Sequence, residues 1–190
     1  MTTHPATAAS ELTDLLGLAV APMAIRFTDR PPGDVPRFEG DMPQPTPDGR
    51  TGKVPAGCVF WMHGTKRTFA TLPQDHGNCS VGSYTHGLMS LQDAAGKQDV
   101  QALLDSGWVD QAAVQQVPAV QDAPGAIVYG PLAEAPEVPD VVFLRVTGKQ
   151  AMMLQDAWPS LRHEGKPQCH IVAIAKEHGE PALSVGCMLS

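Results

Sequence analysis

The chain has 190 residues, of which 43% are hydrophobic and 17% are charged, and its formal net charge is −7. A chain of this length and hydrophobic content buries a core without disulfide bonds, which excludes a disulfide-dependent mini-protein. The absence of a Lys/Arg cluster predicts no nucleic-acid partner, and the absence of a long apolar run predicts no membrane partner. The first residues lack the basic and apolar stretches of a secretory signal, so we expect a cytoplasmic protein.

The first third of the sequence predicts one helix, one strand and one long loop. Ser10 followed by ELTDLLG predicts a capped helix that ends near Gly17. The alternating pattern of PMAIRFT, residues 22–28, predicts a half-buried strand. Residues 29–57 are rich in proline, glycine and charge and predict a loop. A loop of this length can act as a lid over a site, or it can simply cover the edge of a sheet.

The remaining two thirds mix strands and helices without strict alternation. VFWMH and TFATL (residues 59–63 and 68–72) predict a hairpin, and residues 80–89 predict a helix entered through Gly77 and Asn78. Further helices are predicted within residues 97–110, 111–117 and 149–161, and strands within 126–132, 141–146 and 181–186. Residues 168–179 fit either type. This order predicts one α+β or α/β domain over residues 1–190, with a mixed sheet flanked by helices and a cofactor site formed by loops.

The four cysteines are Cys58, Cys79, Cys169 and Cys187. No two of them form a C-x-x-C pair, so spacing alone gives no zinc-ribbon, thioredoxin or ferredoxin signature. Three of them lie just beyond a glycine, in PAGC, HGNC and SVGC, which predicts turns rather than the interior of an element. In a reducing compartment such cysteines are metal ligands, catalysts or core residues rather than disulfide partners.

The segment HGNCSVGSYTHG, residues 76–87, concentrates polar groups around Cys79. Cys79 is expected at a helix N-terminus, where free N–H groups stabilise a thiolate. The candidate proton-transfer groups beside it are Asp75, His76, Tyr84 and His86. We expect His76 or His86 at the mouth of a site that a small molecule can reach. The alternative is that the histidines face solvent at a helix end without a chemical role.

The motifs AGCVFW, DHGNCSVGSYTHGL, PLAEAPEVPDVV and SVGC, together with PPGDVPR, cover residues from about Leu16 to Cys187. On these motifs the chain resembles the family called domain of unknown function 169. All four cysteines fall on cysteine positions of the family pattern, which implies that they form one cofactor site. Here the last motif reads GCMLS, without the glycine and arginine with which the family pattern continues, which indicates a shortened subgroup or a sequence cut at this point.

Four thiolates suit zinc or an iron–sulfur cluster. Structural zinc usually takes its ligands from two tight knuckles, which this chain lacks, whereas a [4Fe–4S] cluster accepts ligands from separate loops. We therefore favour the cluster, with zinc as the alternative. Three cysteine ligands would leave one iron open as a Lewis acid for a small-molecule substrate, in a desulfuration, dehydration or related lyase or hydrolase step. Four cysteine ligands would close the cluster to substrates, which fits a redox, electron-transfer or sensor protein with a redox partner. If the metal is zinc, the protein would be a zinc-stabilised binding module. Formation of a homo-oligomer stays open.

Overall fold

The structure is a computed structural model that describes residues 4–39, 42–45, 51–54, 60–76, 80–107, 110–115, 119–161, 171–175 and 181–185. Cys58, Cys79, Cys169 and Cys187 lie outside the described residues, as do Gly77 and Asn78. The predictions that the cysteines occupy turns, that Cys79 begins a helix and that all four share a site therefore stay predictions.

The described residues form seven α-helices and eight strands. The helices are α1 (Pro5–Leu16), α2 (Phe60–Gly64), α3 (Ser80–Thr85), α4 (Leu91–Ala95), α5 (Gln98–Asp105), α6 (Gln111–Gln115) and α7 (Gly148–Ala157). The strands are β1 (Met23–Thr28), β2 (Met42–Pro45), β3 (Thr51–Val54), β4 (Phe69–Thr71), β5 (Ala126–Pro131), β6 (Val141–Phe143), β7 (Ile171–Ala175) and β8 (Pro181–Val185). Two 3₁₀ turns, Pro73–His76 and Leu132–Glu134, complete the set. The α+β prediction is confirmed.

The main sheet has the strand order β4-β5-β1-β6, and its strands pair antiparallel. An isolated parallel bridge between Arg37 and Ala70 extends its β4 edge. Ile25 lies opposite Tyr129 on one side and Val141 on the other. Because side chains alternate along a strand, this register gives the sheet two chemically different faces.

One face of the sheet carries the aromatic core. Its largest buried side chains include Met23, Ile25, Phe69 and Ile127, each at most 1% exposed. Phe60 from α2 packs on this face, with its ring centroid 5.6 Å from that of Tyr129 and 4.8 Å from that of Phe38. The opposite face carries the smaller residues Ala24, Val128 and Gly130, together with Arg26, as the register requires.

Helix α1 ends as predicted but begins earlier. Gly17 adopts φ 61° and closes the helix, and its N–H bonds to the Thr13 carbonyl. The predicted start at Ser10 is wrong because His4 caps the helix instead: its side chain accepts the Ala6 N–H, and Pro5 occupies the first turn. The Ser10 hydroxyl bonds to the Asp14 carboxylate.

The predicted hairpin of residues 59–63 and 68–72 is wrong. Residues 60–64 form α2, and β4 pairs with β5 rather than with its neighbour in sequence. Phe60 and Gly64 are both buried, one helical turn apart, so α2 presents this face to the sheet. A β-carbon on Gly64 would overlap the Met23 sulfur, so this close approach of helix and strand needs glycine.

The segment predicted as a continuous loop, residues 29–57, contains the antiparallel pair β2 and β3. Pro43 and Pro45 occupy alternate positions of β2, so both missing N–H groups can fall on the edge away from β3. This is why a proline-rich stretch can still form a strand. Its role as a lid stays a prediction.

The predicted strands at residues 22–28, 126–132, 141–146 and 181–186 are confirmed as β1, β5, β6 and β8, with shorter bounds. The helix predicted over residues 80–89 is shorter, since α3 ends at Thr85. The ambiguous segment contains β7, which pairs antiparallel with β8.

The chain divides into two compact units. The first comprises Met1–Phe38, Val59–Thr71 and Gly125–His163, and contains the main sheet. The second comprises Glu39–Cys58, Leu72–Pro124 and Glu164–Ser190. The prediction of one domain over residues 1–190 stays a prediction. Within the described ranges, no helix has the length and apolar character needed to cross a membrane.

Candidate functional site

Two histidines lie against each other in the interior of the second unit. His76 and His86 are 1% and 2% exposed, and their ring centroids are 5.0 Å apart at an interplanar angle of 48°. Their burial contradicts the alternative in which these histidines face solvent at a helix end. The expectation that His76 or His86 lies at the mouth of a site stays a prediction. Burial of two imidazoles in contact is costly unless they are hydrogen-bonded, which makes this pair the candidate site.

The orientation of His86 is fixed by its own helix turn. Nδ1 of His86 lies 2.6 Å from the carbonyl oxygen of Gly82. Since a carbonyl oxygen can only accept, Nδ1 carries the hydrogen and donates it. In the neutral ring this tautomer makes Nε2 the basic nitrogen, which is the arrangement used where an imidazole exchanges protons or binds a metal.

The position of His76 is fixed through its backbone. The Ser83 hydroxyl donates to the His76 carbonyl oxygen at 2.7 Å, which joins the 3₁₀ turn Pro73–His76 to α3. The Asp75 carboxylate accepts the Leu72 N–H at 2.7 Å and closes the same turn. Asp75 is therefore used in the local structure of the turn, a role that the sequence interpretation did not include.

Helix α3 ends in a motif that turns the chain sharply at Gly87. The Leu88 N–H bonds to the Ser83 carbonyl at 2.8 Å, and the Gly87 N–H bonds to the Tyr84 carbonyl at 2.9 Å. Gly87 adopts φ 73°, as this Schellman arrangement requires. Its missing side chain also matters, because a β-carbon there would lie 2.6 Å from the carbonyl oxygen of Val120.

Val120, which lies outside residues 76–87, forms a backbone hydrogen bond with the end of α3. Its N–H donates to the Thr85 carbonyl at 2.9 Å. The backbone that carries His86 is thus fixed by a residue far away in the sequence. Sequence reasoning missed Ser83, Gly87 and Val120. Gly87 lies inside the helix predicted over residues 80–89, and a glycine at that position was the one signal that the helix ends earlier.

The surroundings of the histidine pair are polar as well as buried. Ser80 is 6% exposed, and Ser83 and Thr85 are each 3% exposed. The Thr85 hydroxyl donates to the Gly82 carbonyl at 3.1 Å. Tyr84 is half-buried. The structure therefore brings together His76 and His86, places Asp75 in the adjoining turn and leaves Tyr84 at the boundary of the interior.

The described residues alone do not make a metal site. Among them, no group of three or more His, Cys, Asp and Glu side chains could hold a metal ion. A metal or cluster near this histidine pair would need ligands from outside the described ranges, where the four cysteines lie.

Residues 11–190 match the family model of domain of unknown function 169, whose description reads "Uncharacterised ArCR". The match covers nearly the whole chain. No curated protein and no solved structure shows significant similarity to the chain.

Proposed function

The chain belongs to the domain of unknown function 169 family, and we propose that it is an iron–sulfur protein whose thiol ligands are drawn from Cys58, Cys79, Cys169 and Cys187. We propose further that it is a cytoplasmic enzyme acting on a small molecule. With three of these cysteines as ligands, a [4Fe–4S] cluster would supply Lewis acidity toward an oxygen or sulfur of the substrate, in a desulfuration, dehydration or related step.

The observation that carries the proposal is the buried histidine pair in the segment that contains Cys79. His76 precedes Cys79 by three positions, and Ser80, where α3 begins, follows it directly. The Ser83–His76 hydrogen bond ties the two sides of this segment together. A closed electron-transfer site does not require an imidazole here, whereas an enzyme that moves protons uses a positioned side chain for this, most often a histidine.

The donor set supports the same proposal. The chain carries four cysteines, and thiolates are the usual ligands of iron–sulfur clusters. The two histidines have no third ligand among the described residues, and Nδ1 of His86 is engaged by Gly82. We therefore assign the histidines to proton transfer and the cysteines to cluster binding.

The proposed roles differ for the two histidines. His86, held by Gly82 with Nε2 as its basic nitrogen, would accept or deliver the proton of the reaction. His76, whose ring lies 5.0 Å from that of His86, would orient that ring or relay the proton. The burial of both rings would limit exchange of this proton with bulk water.

The test uses the full chain, purified without oxygen, and two variants of His86. In His86→Asn the side-chain amide can still donate to the Gly82 carbonyl, but the basic nitrogen is lost. His86→Gln also lacks the basic nitrogen and loses that local bond as well, so the two variants together separate the effect of the bond from that of the base. Candidate iron ligands, namely hydrosulfide and 2-hydroxycarboxylates, are titrated while the electron-paramagnetic spectrum of the reduced protein is recorded.

The proposal expects ligand-induced spectral shifts in the wild-type protein and in His86→Asn, with the pH dependence of ligand binding altered in that variant. If no ligand perturbs the spectrum and every iron is bound by cysteine, the protein is a closed-cluster redox or sensor protein. If the purified protein contains zinc without iron and sulfide, it is a zinc-stabilised binding module, and the cluster enzyme and the closed-cluster protein are both ruled out.

A further inference from the structure

A groove of about 270 Å³ lies in the first unit, on the face of the main sheet opposite the aromatic core. Its floor is made by small residues of the two central strands, Ala24 of β1 with Val128 and Gly130 of β5. Its sides are made by residues of two proline-rich segments, 32–35 and 131–139. These segments belong to the motifs PPGDVPR and PLAEAPEVPD, to which the proposed function assigns no role.

The groove is preformed rather than a gap between loose loops. The Leu132 N–H bonds to the Pro22 carbonyl at 2.8 Å, at the start of the second proline-rich segment. At its end, Asp140 accepts the Phe27 N–H on its carboxylate at 2.7 Å and donates its own N–H to the Ile25 carbonyl at 3.1 Å. Both ends of this wall are therefore bonded to β1 or to the residue before it. A site fixed in this way loses little entropy on binding.

The charges of the groove are unbalanced. Of the described residues that line it, Arg26 is positive and three are acidic: Asp34, Glu134 and Glu137. Arg26 pairs with Glu137 at 2.8 Å. Among the described residues, the Glu134 carboxylate accepts one hydrogen bond, from the neutral hydroxyl of Thr68 at 2.9 Å. The Asp34 side chain makes no hydrogen bond or ion pair with the described part of the chain. Two carboxylates thus remain without a cationic partner there.

Glu134 is held in place by a specific close contact. Thr68 lies directly over Gly130, and a β-carbon on Gly130 would overlap the Thr68 hydroxyl oxygen. The absence of a side chain on the floor thus lets Thr68 reach Glu134. Because Thr68 fills the space above Gly130, the open part of the floor is formed by Ala24 and Val128.

The remaining lining is apolar and comes largely from proline. It consists of Pro32, Val35, Pro131, Ala135, Pro136 and Pro139. We propose that this groove binds a small organic cation, with its apolar body on the floor of Ala24 and Val128 and its ammonium group between Asp34 and Glu134. The volume suits a small molecule rather than a folded partner, since pockets for drug-sized ligands start near 300 Å³.

The test uses phenethylamine as the probe, with 2-phenylethanol as its neutral analogue and 3-phenylpropionate as its anionic analogue. Each is titrated into the full-length, isotope-labelled protein, and the methyl resonances of Ala24, Val128 and Ala135 are followed by NMR. We expect phenethylamine to shift these methyl groups and to bind about tenfold or more tightly than the alcohol, as expected for a charged hydrogen bond. The anion should not bind.

Three variants separate charge from structure. Asp34→Asn and Glu134→Gln should each weaken phenethylamine binding by about tenfold. Asp156→Asn on α7 is the matched control, because Asp156 is exposed and lies outside the groove, and it should leave the affinity unchanged. All the substituted side chains are exposed, so thermal unfolding should confirm that each variant stays folded.

The proposal is overturned if the methyl groups of the groove do not respond to phenethylamine. It is also overturned if the amine and the alcohol bind equally well, or if Asp156→Asn weakens binding as much as the groove variants do. Failure of these titrations leaves the cluster proposal standing, because the experiment monitors only residues of the first unit.

Discussion

Ser83 donates its hydroxyl hydrogen to the carbonyl oxygen of His76 at 2.7 Å, and both residues are buried. The bond spans the segment that contains Cys79 and connects the turn before it to the helix after it. A buried hydroxyl thus links the backbone of His76 to the helix that leads to His86.

Replacement of Ser83 by alanine should therefore destabilise the protein, because it leaves the buried His76 carbonyl without this donor. We expect a loss of about 1–3 kcal/mol in the free energy of unfolding, measured by urea denaturation. Ser10→Ala is the control, since Ser10 is exposed and its bond to Asp14 is long, at 3.4 Å. Equal stabilities of the two variants would show that the Ser83–His76 bond does not support the fold.

A side chain at Gly87 would meet two separate obstacles, the positive φ of the backbone and the nearby Val120 carbonyl, and their effects on stability can be separated experimentally. Gly87→Ala places a side chain at φ 73° and against the Val120 carbonyl, whereas Gly107→Ala meets φ 72° with open space around it. The backbone penalty alone is about 1–2 kcal/mol, so we expect that loss for Gly107→Ala and a larger one for Gly87→Ala. Thermal or urea unfolding measures both, and similar losses would mean that the Val120 contact adds nothing.

Phe60 is the side chain by which α2 enters the aromatic core. It is 0% exposed and packs against Phe38 and Tyr129. Phe60→Ala should lower the free energy of unfolding by about 3–5 kcal/mol, the usual cost of removing a buried aromatic ring. Trp158→Ala, at a position 61% exposed, is the control and should cost far less. A small effect of Phe60→Ala would contradict the assignment of residues 60–64 to a packed helix.

His63 gives a prediction for the pH dependence of stability. Burial, followed by the positive charges of Arg67 and Lys66, lowers the pKa of His63 below its ordinary value of 6.5. In the unfolded chain this histidine takes up a proton near pH 6.5, before the folded protein does. Its contribution to stability is therefore present above pH 6.5 and is lost as the pH falls through the lower folded pKa.

An NMR titration of the His63 ring measures this directly. We expect a pKa below 6.5 in the wild-type protein and an upward shift in Arg67→Gln, with a smaller shift in Lys66→Gln, since Arg67 is the larger of the two charge effects. A wild-type value at or above 6.5, or no response to Arg67→Gln, would contradict this account.

The parts of the fold that could be predicted from the sequence are those decided by local pattern. The alternation in residues 22–28 and the β-branched residues in 126–132 mark β1 and β5 correctly, and Gly17 marks the end of α1. Residues 59–63 misled the prediction because hydrophobic and aromatic residues in a short run fit a strand as well as a helix. What makes them α2 is the packing of Phe60 and Gly64 onto a sheet assembled from distant strands.

The same division holds for the candidate site. The local density of histidine and glycine in residues 76–87 singled out His76 and His86, whose rings the structure places in contact, and their chemical role stays a prediction. Their burial could not be predicted, because it depends on long-range contacts such as that of Val120 with Gly87 and Thr85. The groove was missed for a related reason: its lining residues come from separate segments that meet on one face of the sheet.

The central claim is that the cysteines hold an iron–sulfur cluster, and the most direct test is metal and sulfide analysis of the full chain purified without oxygen. We predict a brown protein with broad absorption in the visible blue and about four iron and four sulfide per chain, as in [4Fe–4S] proteins. Of the single variants Cys58→Ser, Cys79→Ser, Cys169→Ser and Cys187→Ser, at least three should lose or alter that absorption. A colourless protein with zinc, or one without iron and sulfide after cluster reconstitution, would contradict the claim.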